Sequence, residues 1–158
     1  MGLTPVFLPY TYIHGPTWDA LESCGWPWVP VHLARLHEDA YLWFFEERWR
    51  QGDAFMVCEH DVIPGRDQLA QLEDCPAGWC AFNEYDGGPP TLSLARFRPA
   101  FIGRWPDIWA DLRAAHRISV FQPLWSKLDS WLTDSCGQPC LHESPHVVNM
   151  RPMGSLHG

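Results

Sequence analysis

Glu59 and Asp61 stand one residue apart where a short apolar run, Ala54 to Cys58, comes to an end. The run is long enough for a buried strand and too short for a membrane span. In an extended chain alternate residues point the same way, which puts both carboxylates on one side and His60 on the other. Two acids at the end of a buried strand are costly unless something positive sits between them. Hard oxygen ligands at this spacing suit Mg²⁺ or Mn²⁺, ions that are usually shared with substrate phosphates. The chemistry expected here is a divalent-metal site that holds a diphosphate; the plainer alternative is a solvated turn with acids at a strand end. Cysteine offers a rival centre. Cys75 and Cys80, with Cys136, Cys140 and His142, could form a structural zinc site, although the spacings are looser than paired CxxC knuckles and separate buried thiols are the simpler expectation.

The elements that must position these groups follow from pattern. Val6-Phe7-Leu8 reads as a first strand closed by Pro9. Gly15-Pro16 opens a helix with Pro in its first turn, and Gly25 suits its C-terminal cap. A second strand runs from Trp28 to Leu33. Arg35 follows it, in the loop where an open α/β sheet places ligand contacts. Glu38 to Gln51 is a helix, since Tyr41, Phe44, Phe45 and Trp49 recur at helical spacing and Gly52 follows. The run before Glu59 is the third strand. Strand, helix, strand, helix, strand argues a parallel, doubly wound start.

Further on, a helix is expected over 67–73, strands over Trp79–Phe82 and Thr91–Ala95, and helices over Pro106–His116 and Pro123–Thr133. Asp86-Gly87-Gly88-Pro89-Pro90 is a turn. Arg96 and Arg98 are expected as exposed arginines, with a phosphate contact as the other reading. Trp79, Trp105 and Trp125 belong to the core or stack on a sugar. The tail from Cys136 holds His142 and His146 and is expected to end loosely.

A chain of 158 residues is most simply one domain, and 46% hydrophobic residues supply a core that excludes disorder. The net charge of -8 argues against non-specific nucleic-acid binding and against an anionic membrane surface. It does not exclude a phosphate ligand, because a metal can supply the local positive charge. The N-terminus has no basic region followed by an apolar stretch, so the expectation is a cytoplasmic protein without a membrane span, its six cysteines reduced.

Glu59-His60-Asp61 resembles the acid-x-acid (DxD-type) motif of GT-A glycosyltransferases. The opening strand ending Leu8-Pro9-Tyr10, the strand-helix-strand order up to the motif, and Leu94-Ala95-Arg96-Phe97 are similar to that family. So are a late helix carrying Asp129 and a tail with Cys140-Leu141-His142. Glu59 to Pro64, taken with Cys75-Pro76-Ala77-Gly78-Trp79-Cys80, resembles small GT-A-like proteins of actinobacteria and their phages. The resemblance implies one GT-A (Rossmann-like) domain over 1–158, with a mixed, mostly parallel central sheet flanked by helices and with 136–158 as a tail closing the metal site. It implies transfer of a sugar from a nucleotide-diphosphate donor, a UDP-sugar, with Mn²⁺ or Mg²⁺, to an acceptor that is a protein, a glycan, modified DNA or a lipid-linked sugar.

It also implies roles. Asp61 would bind the metal directly, and Glu59 would bind it through water or contact the ribose. His142, or else His146, would complete the metal shell. Pro9, Tyr10 and Thr11 would border the base. Asp129 would be the general base if the reaction inverts the anomeric centre, or orient the sugar if it retains. The alternatives are a nucleotide-sugar-binding module without turnover, a zinc-stapled structural or interaction protein, and a metal-dependent phosphohydrolase.

Overall fold

The computed structural model describes residues 2–33, 39–83, 90–116, 127–142 and 148–149. It opens with β1 (Val6–Tyr10), α1 (Gly15–Ser23), β2 (Trp28–His32), α2 (Ala40–Gln51) and β3 (Phe55–Cys58). Next come β4 (Val62–Ile63), α3 (Arg66–Asp74), β5 (Trp79–Phe82), β6 (Leu94–Phe97), α4 (Pro99–Arg104) and α5 (Ile108–His116). They are followed by α6 (Leu128–Cys136), β7 (Cys140–His142) and β8 (Val148–Asn149).

Six strands form one sheet in the order β2-β1-β3-β6-β5-β7, and β4 pairs with β8 separately. The pairs β1–β2, β1–β3 and β5–β7 are parallel, whereas β6 runs antiparallel to both its neighbours. The fold is a mixed α/β layer, a mostly parallel central sheet flanked by helices.

Alternation along the strands divides the core in two. Met56 and Cys58 face α1 and α3, where Leu21, Leu69 and Leu72 pack with Val6 and Leu8. Phe55 and Val57 face the other way, against Phe45, Ile102, Trp109 and Leu132 from α2, α4, α5 and α6. With helices on both faces, central strands can carry no polar side, and β3 reads as Phe-Met-Val-Cys without alternation. Trp79 is a core residue, stacked on Phe97 with centroids 5.7 Å apart and planes 7° from parallel. Trp105 packs partly buried against the same core, and Trp125 lies outside the described residues.

Local signals explain several boundaries. α2 ends where Gly52 turns left-handed, with φ 74°, and its N–H donates to the Arg48 carbonyl at 3.2 Å. An L side chain there would meet its own carbonyl, so glycine is the residue that stops this helix without strain. Pro30 lies on the edge strand β2, in a position facing away from β1, where a missing N–H breaks no ladder bond and blunts the edge.

Three features differ from the sequence reading. β6 begins at Leu94 and includes Arg96, which is buried rather than exposed. Arg96 and Arg98 hold the C-terminal end of α3, donating to the carbonyls of Leu72, Glu73 and Cys75. α4 is a six-residue helix opened by Pro99, too short to show a helical period. The tail is not loose at Cys140: β7 adds a parallel strand beside β5.

Gly78 is required by a close approach. A Cβ there would lie 3.1 Å from Phe101 Cβ and 3.3 Å from its ring carbon Cδ2. Gly78→Ala is therefore expected to lower stability by about 1–3 kcal/mol through overpacking. Urea unfolding checks it, and an unchanged midpoint would mean that Phe101 has room to move.

Candidate active site

The chain leaves β1 through α1 on one face of the sheet and leaves β2 through α2 on the other. The crevice outside the carboxyl ends of β1 and β3 is thus a topological switch point, where open α/β sheets bind ligands. Pro9 widens it. The odd-numbered residues of β1 face β3, since Met56 N–H donates to the Pro5 carbonyl at 2.9 Å. Pro9 falls in that row and has no N–H to offer. The β1–β3 register ends at Phe7 and Val57, while the β1–β2 register continues to Tyr10 and His32.

Glu59 and Asp61 sit at the mouth of this crevice, but not in the extended geometry the sequence suggests. β3 stops at Cys58, and Val62 N–H donates to the Glu59 carbonyl at 3.1 Å, closing a turn. Alternation therefore does not decide where these side chains point. His60 packs edge-on against Tyr12, with ring centroids 4.5 Å apart. Asp61 is 7% exposed.

Glu59 belongs to a polar row. Its N–H donates to the Ser93 carbonyl at 2.9 Å, and the Ser93 hydroxyl donates to Glu59 Oε2 at 3.3 Å. Ala81 faces Ala95 in the β5–β6 pair, and the same register carried on puts Asn83 opposite Ser93. Glu59, Ser93 and Asn83 thus lie side by side across β3, β6 and the end of β5. Asn83 is 1% exposed, and neither its Oδ1 nor its Nδ2 has a hydrogen-bond partner among the described residues. An unsatisfied buried amide costs about 1–3 kcal/mol. A bound ligand or water would satisfy it.

Tyr41 lies in the first turn of α2 and Asp129 in the first turn of α6. Burial pushes the Tyr41 phenol well above its ordinary range, and the carboxylates of Glu59, Asp129 and Asp61 raise it further. Three acids singled out from the sequence therefore lie within electrostatic reach of one phenol. The Tyr41 hydroxyl is itself buried without a hydrogen-bond partner among the described residues.

The β1 side of the crevice is firm. Tyr10 packs between Trp18 and His32, at centroid distances of 5.4 and 5.2 Å. Pro9 is buried and Thr11 half-buried. Arg35 and His146 lie outside the described residues. The β4–β8 pair forms directly after Asp61, with Val62 opposite Asn149.

The structure does not bring His142 to the acids. It ends β7 opposite Phe82, with β5 and β6 between it and β3. At about 4.8 Å per strand it lies roughly 14 Å across the sheet. Its neighbours are Cys75 and Cys140. A cleft of about 440 Å³ among Glu46, Trp49, Arg50 and Trp109 opens at the opposite end of the sheet. Its charges are already paired, Glu46 with Arg113 and Arg50 with Glu47.

Sequence reasoning missed Tyr41, Ser93 and Asn83 as site residues. Tyr41 reads as one more aromatic of the α2 core stripe. Asn83 carries a usable signal, since it is the first polar residue after the apolar strand Trp79–Phe82; the turn expected over Asp86-Gly87-Gly88-Pro89-Pro90 lies mostly outside the described residues.

Fold and site together define a class: a mixed α/β fold with Glu59 and Asp61 at the carboxyl end of a central strand. A crystal structure of a glycosyltransferase involved in the glycosylation of the major capsid of PBCV-1 has this fold. It is similar to this chain at a TM-score of 0.58, with 12% identity, over 89% of this chain and 82% of that one. At that identity the similarity is one of fold. A197 from STIV is similar at a TM-score of 0.46, with 14% identity, over 65% of this chain and 68% of its own. No protein-family model and no curated protein matches the sequence. No described helix is long and apolar enough to cross a membrane.

Proposed function

We propose that this protein is a GT-A-type, metal-dependent glycosyltransferase that uses a nucleotide-diphosphate sugar, a UDP-sugar, as donor. The observation that carries the reading is the placement of Glu59 and Asp61 in the turn after β3 at the switch-point crevice, with both acids and Asp129 within electrostatic reach of Tyr41. The similarity in fold to a glycosyltransferase supports it.

The base lies against Pro9, Tyr10 and Thr11 on the β1 rim, and the diphosphate lies over the turn at Glu59–Val62. The donor set there is all oxygen: two carboxylates, the Ser93 hydroxyl and the unsatisfied Asn83 amide. That set fits Mn²⁺ or Mg²⁺ and not a soft metal. Asp61 and Glu59 would hold the ion. Such an ion neutralises the charge that builds on a departing diphosphate. Asp129 then accepts the proton of the acceptor hydroxyl, and the buried, un-ionised Tyr41 phenol donates a hydrogen bond to a carboxylate or to the sugar. Arg35 is assigned to the diphosphate from its place after β2.

Thermal unfolding against a panel of nucleoside diphosphates and nucleotide sugars, each with and without Mn²⁺, tests this. A ligand at one hundred times its dissociation constant stabilises by about 2.7 kcal/mol. At least one nucleotide should raise the midpoint only when Mn²⁺ is present. If none does, the donor site is not there.

A further inference from the structure

Away from the acids, three groups from distant parts of the chain form a second cluster. One ligand atom each from Cys75, Cys140 and His142 lies within 4.8 Å of the other two. Among the described residues this is the one set of three or more His, Cys, Asp or Glu groups gathered so closely. Cys75 caps α3, and Cys140 and His142 begin and end β7. The register sets Cys140 opposite Cys80 and His142 opposite Phe82, so the alternate residues of β7 lean toward the side that Cys75 occupies. Cys80 stands opposite Cys140 in the β5–β7 pair, its thiol on the Leu72 carbonyl at 3.8 Å near the end of α3. Arg98 fixes Cys75 independently, donating to its carbonyl at 2.6 Å. All four groups are placed by sheet and helix, not by one another.

We propose that Cys75, Cys140 and His142 bind a zinc ion, with the Cys80 thiol as fourth ligand. A tetrahedral ion with Zn–S of about 2.3 Å and Zn–N of about 2.0 Å sets its ligand atoms some 3.5–3.8 Å apart, against separations within 4.8 Å among Cys75, Cys140 and His142. Thiolate and imidazole donors select zinc over Mg²⁺ and Mn²⁺, so this centre and the carboxylate site would not compete for one ion.

The state of the groups agrees. His142 Nε2 is buried without a hydrogen-bond partner among the described residues, a ring nitrogen open to a ligand. Each S–Zn bond would replace an S–H bond and release its proton to solvent. No electrons are transferred. Cys136, grouped with these residues by spacing, is not part of the cluster. The ion would staple β7, an edge strand of three residues, to the end of α3. From β7 the chain runs on to β8, which pairs beside Asp61, so the staple would anchor the segment that borders the proposed donor site.

The test uses the full chain purified under reducing conditions. Elemental analysis should find stoichiometric zinc. Cobalt exchange should give the intense thiolate-to-metal absorption of a sulfur-ligated tetrahedral ion. Cys140→Ser and His142→Ala should each lose the zinc, whereas Cys136→Ser and Asp61→Ala should keep it. The Asp61→Ala result separates this centre from the donor site. Absence of zinc together with no cobalt–thiolate band in the unaltered chain overturns the proposal, whether or not the variants fold. So does zinc retained by Cys140→Ser.

Discussion

Asp61→Ala is expected to abolish the Mn²⁺-dependent stabilisation by a nucleoside diphosphate and to lower sugar transfer on the order of 10³-fold. That loss corresponds to about 4 kcal/mol of barrier at 1.36 kcal/mol per tenfold, within the several kcal/mol that a metal contributes to a developing charge. The reason is positional. The β1–β3 ladder ends at Phe7 and Val57, and the polypeptide turns at Glu59–Val62, so Asp61 stands at the open end of the crevice while being only 7% exposed. A carboxylate so shielded retains most of its attraction for a cation.

Asp129→Asn should part binding from chemistry. Its amide cannot take a proton, so transfer by an inverting enzyme should fall by about 10²–10⁴-fold. The nucleotide-induced midpoint shift should stay as it is, because Asp129 comes from α6 and not from the turn at Glu59. Asp61→Ala that still shows the Mn²⁺-dependent shift would remove Asp61 from the metal. Asp129→Asn with unchanged kcat would reduce Asp129 to an orienting group or to a helix acid.

Arg96→Ala should be the most damaging single change to the fold, at about 3–5 kcal/mol. Arg96 is 6% exposed. Its Nη1 donates to the Leu72 and Glu73 carbonyls at 3.3 and 3.1 Å, and its Nη2 donates to Thr4 Oγ1 at 3.1 Å. Nη2 also lies 3.3 Å from Glu73 Oε2, an ion pair by distance but not aligned as a hydrogen bond. One cation thus complements the negative end of the α3 dipole and satisfies carbonyls that the helix leaves open. Truncation would leave Glu73 charged and those carbonyls without their donor.

Stabilities of about 5–15 kcal/mol for whole domains make such a loss large. At roughly 2–4 °C per kcal/mol for this size, the melting midpoint should fall by roughly 6–20 °C. Arg96→Met with Glu73→Gln should recover the part of the loss that comes from leaving Glu73 charged, though not the part from the open Leu72 and Glu73 carbonyls. Urea unfolding with an unchanged m-value gives the reading. A loss of under about 1 kcal/mol for Arg96→Ala would show that α3 does not depend on this contact.

Much of the strand-helix order was legible because it is written locally. The apolar run before Glu59, the aromatic stripe of α2 and Gly52 each act within a few residues, and so the first three strands and two helices could be placed from sequence. The reading failed where an element owes its form to a distant partner. β7 has three residues and no period; it is a strand because β5 offers it an edge. Arg96 looks like a surface residue until Glu73 and the α3 carbonyls surround it. The turn at Glu59–Val62 is fixed by Ser93, which takes the Glu59 N–H.

The same division holds for the two candidate centres. Residue types and short spacings determined that Glu59 and Asp61 would sit at the end of a buried strand, and that thiols and His142 were available as soft ligands. Tertiary structure alone decided that Tyr41 comes within electrostatic reach of Asp129, on a different helix, and of the two acids, and that Cys140 and His142 meet Cys75 across the far edge of the sheet. Side-chain chemistry is a property of the residue, whereas proximity between residues far apart in sequence depends on strand order and register, which are settled only when the whole sheet pairs.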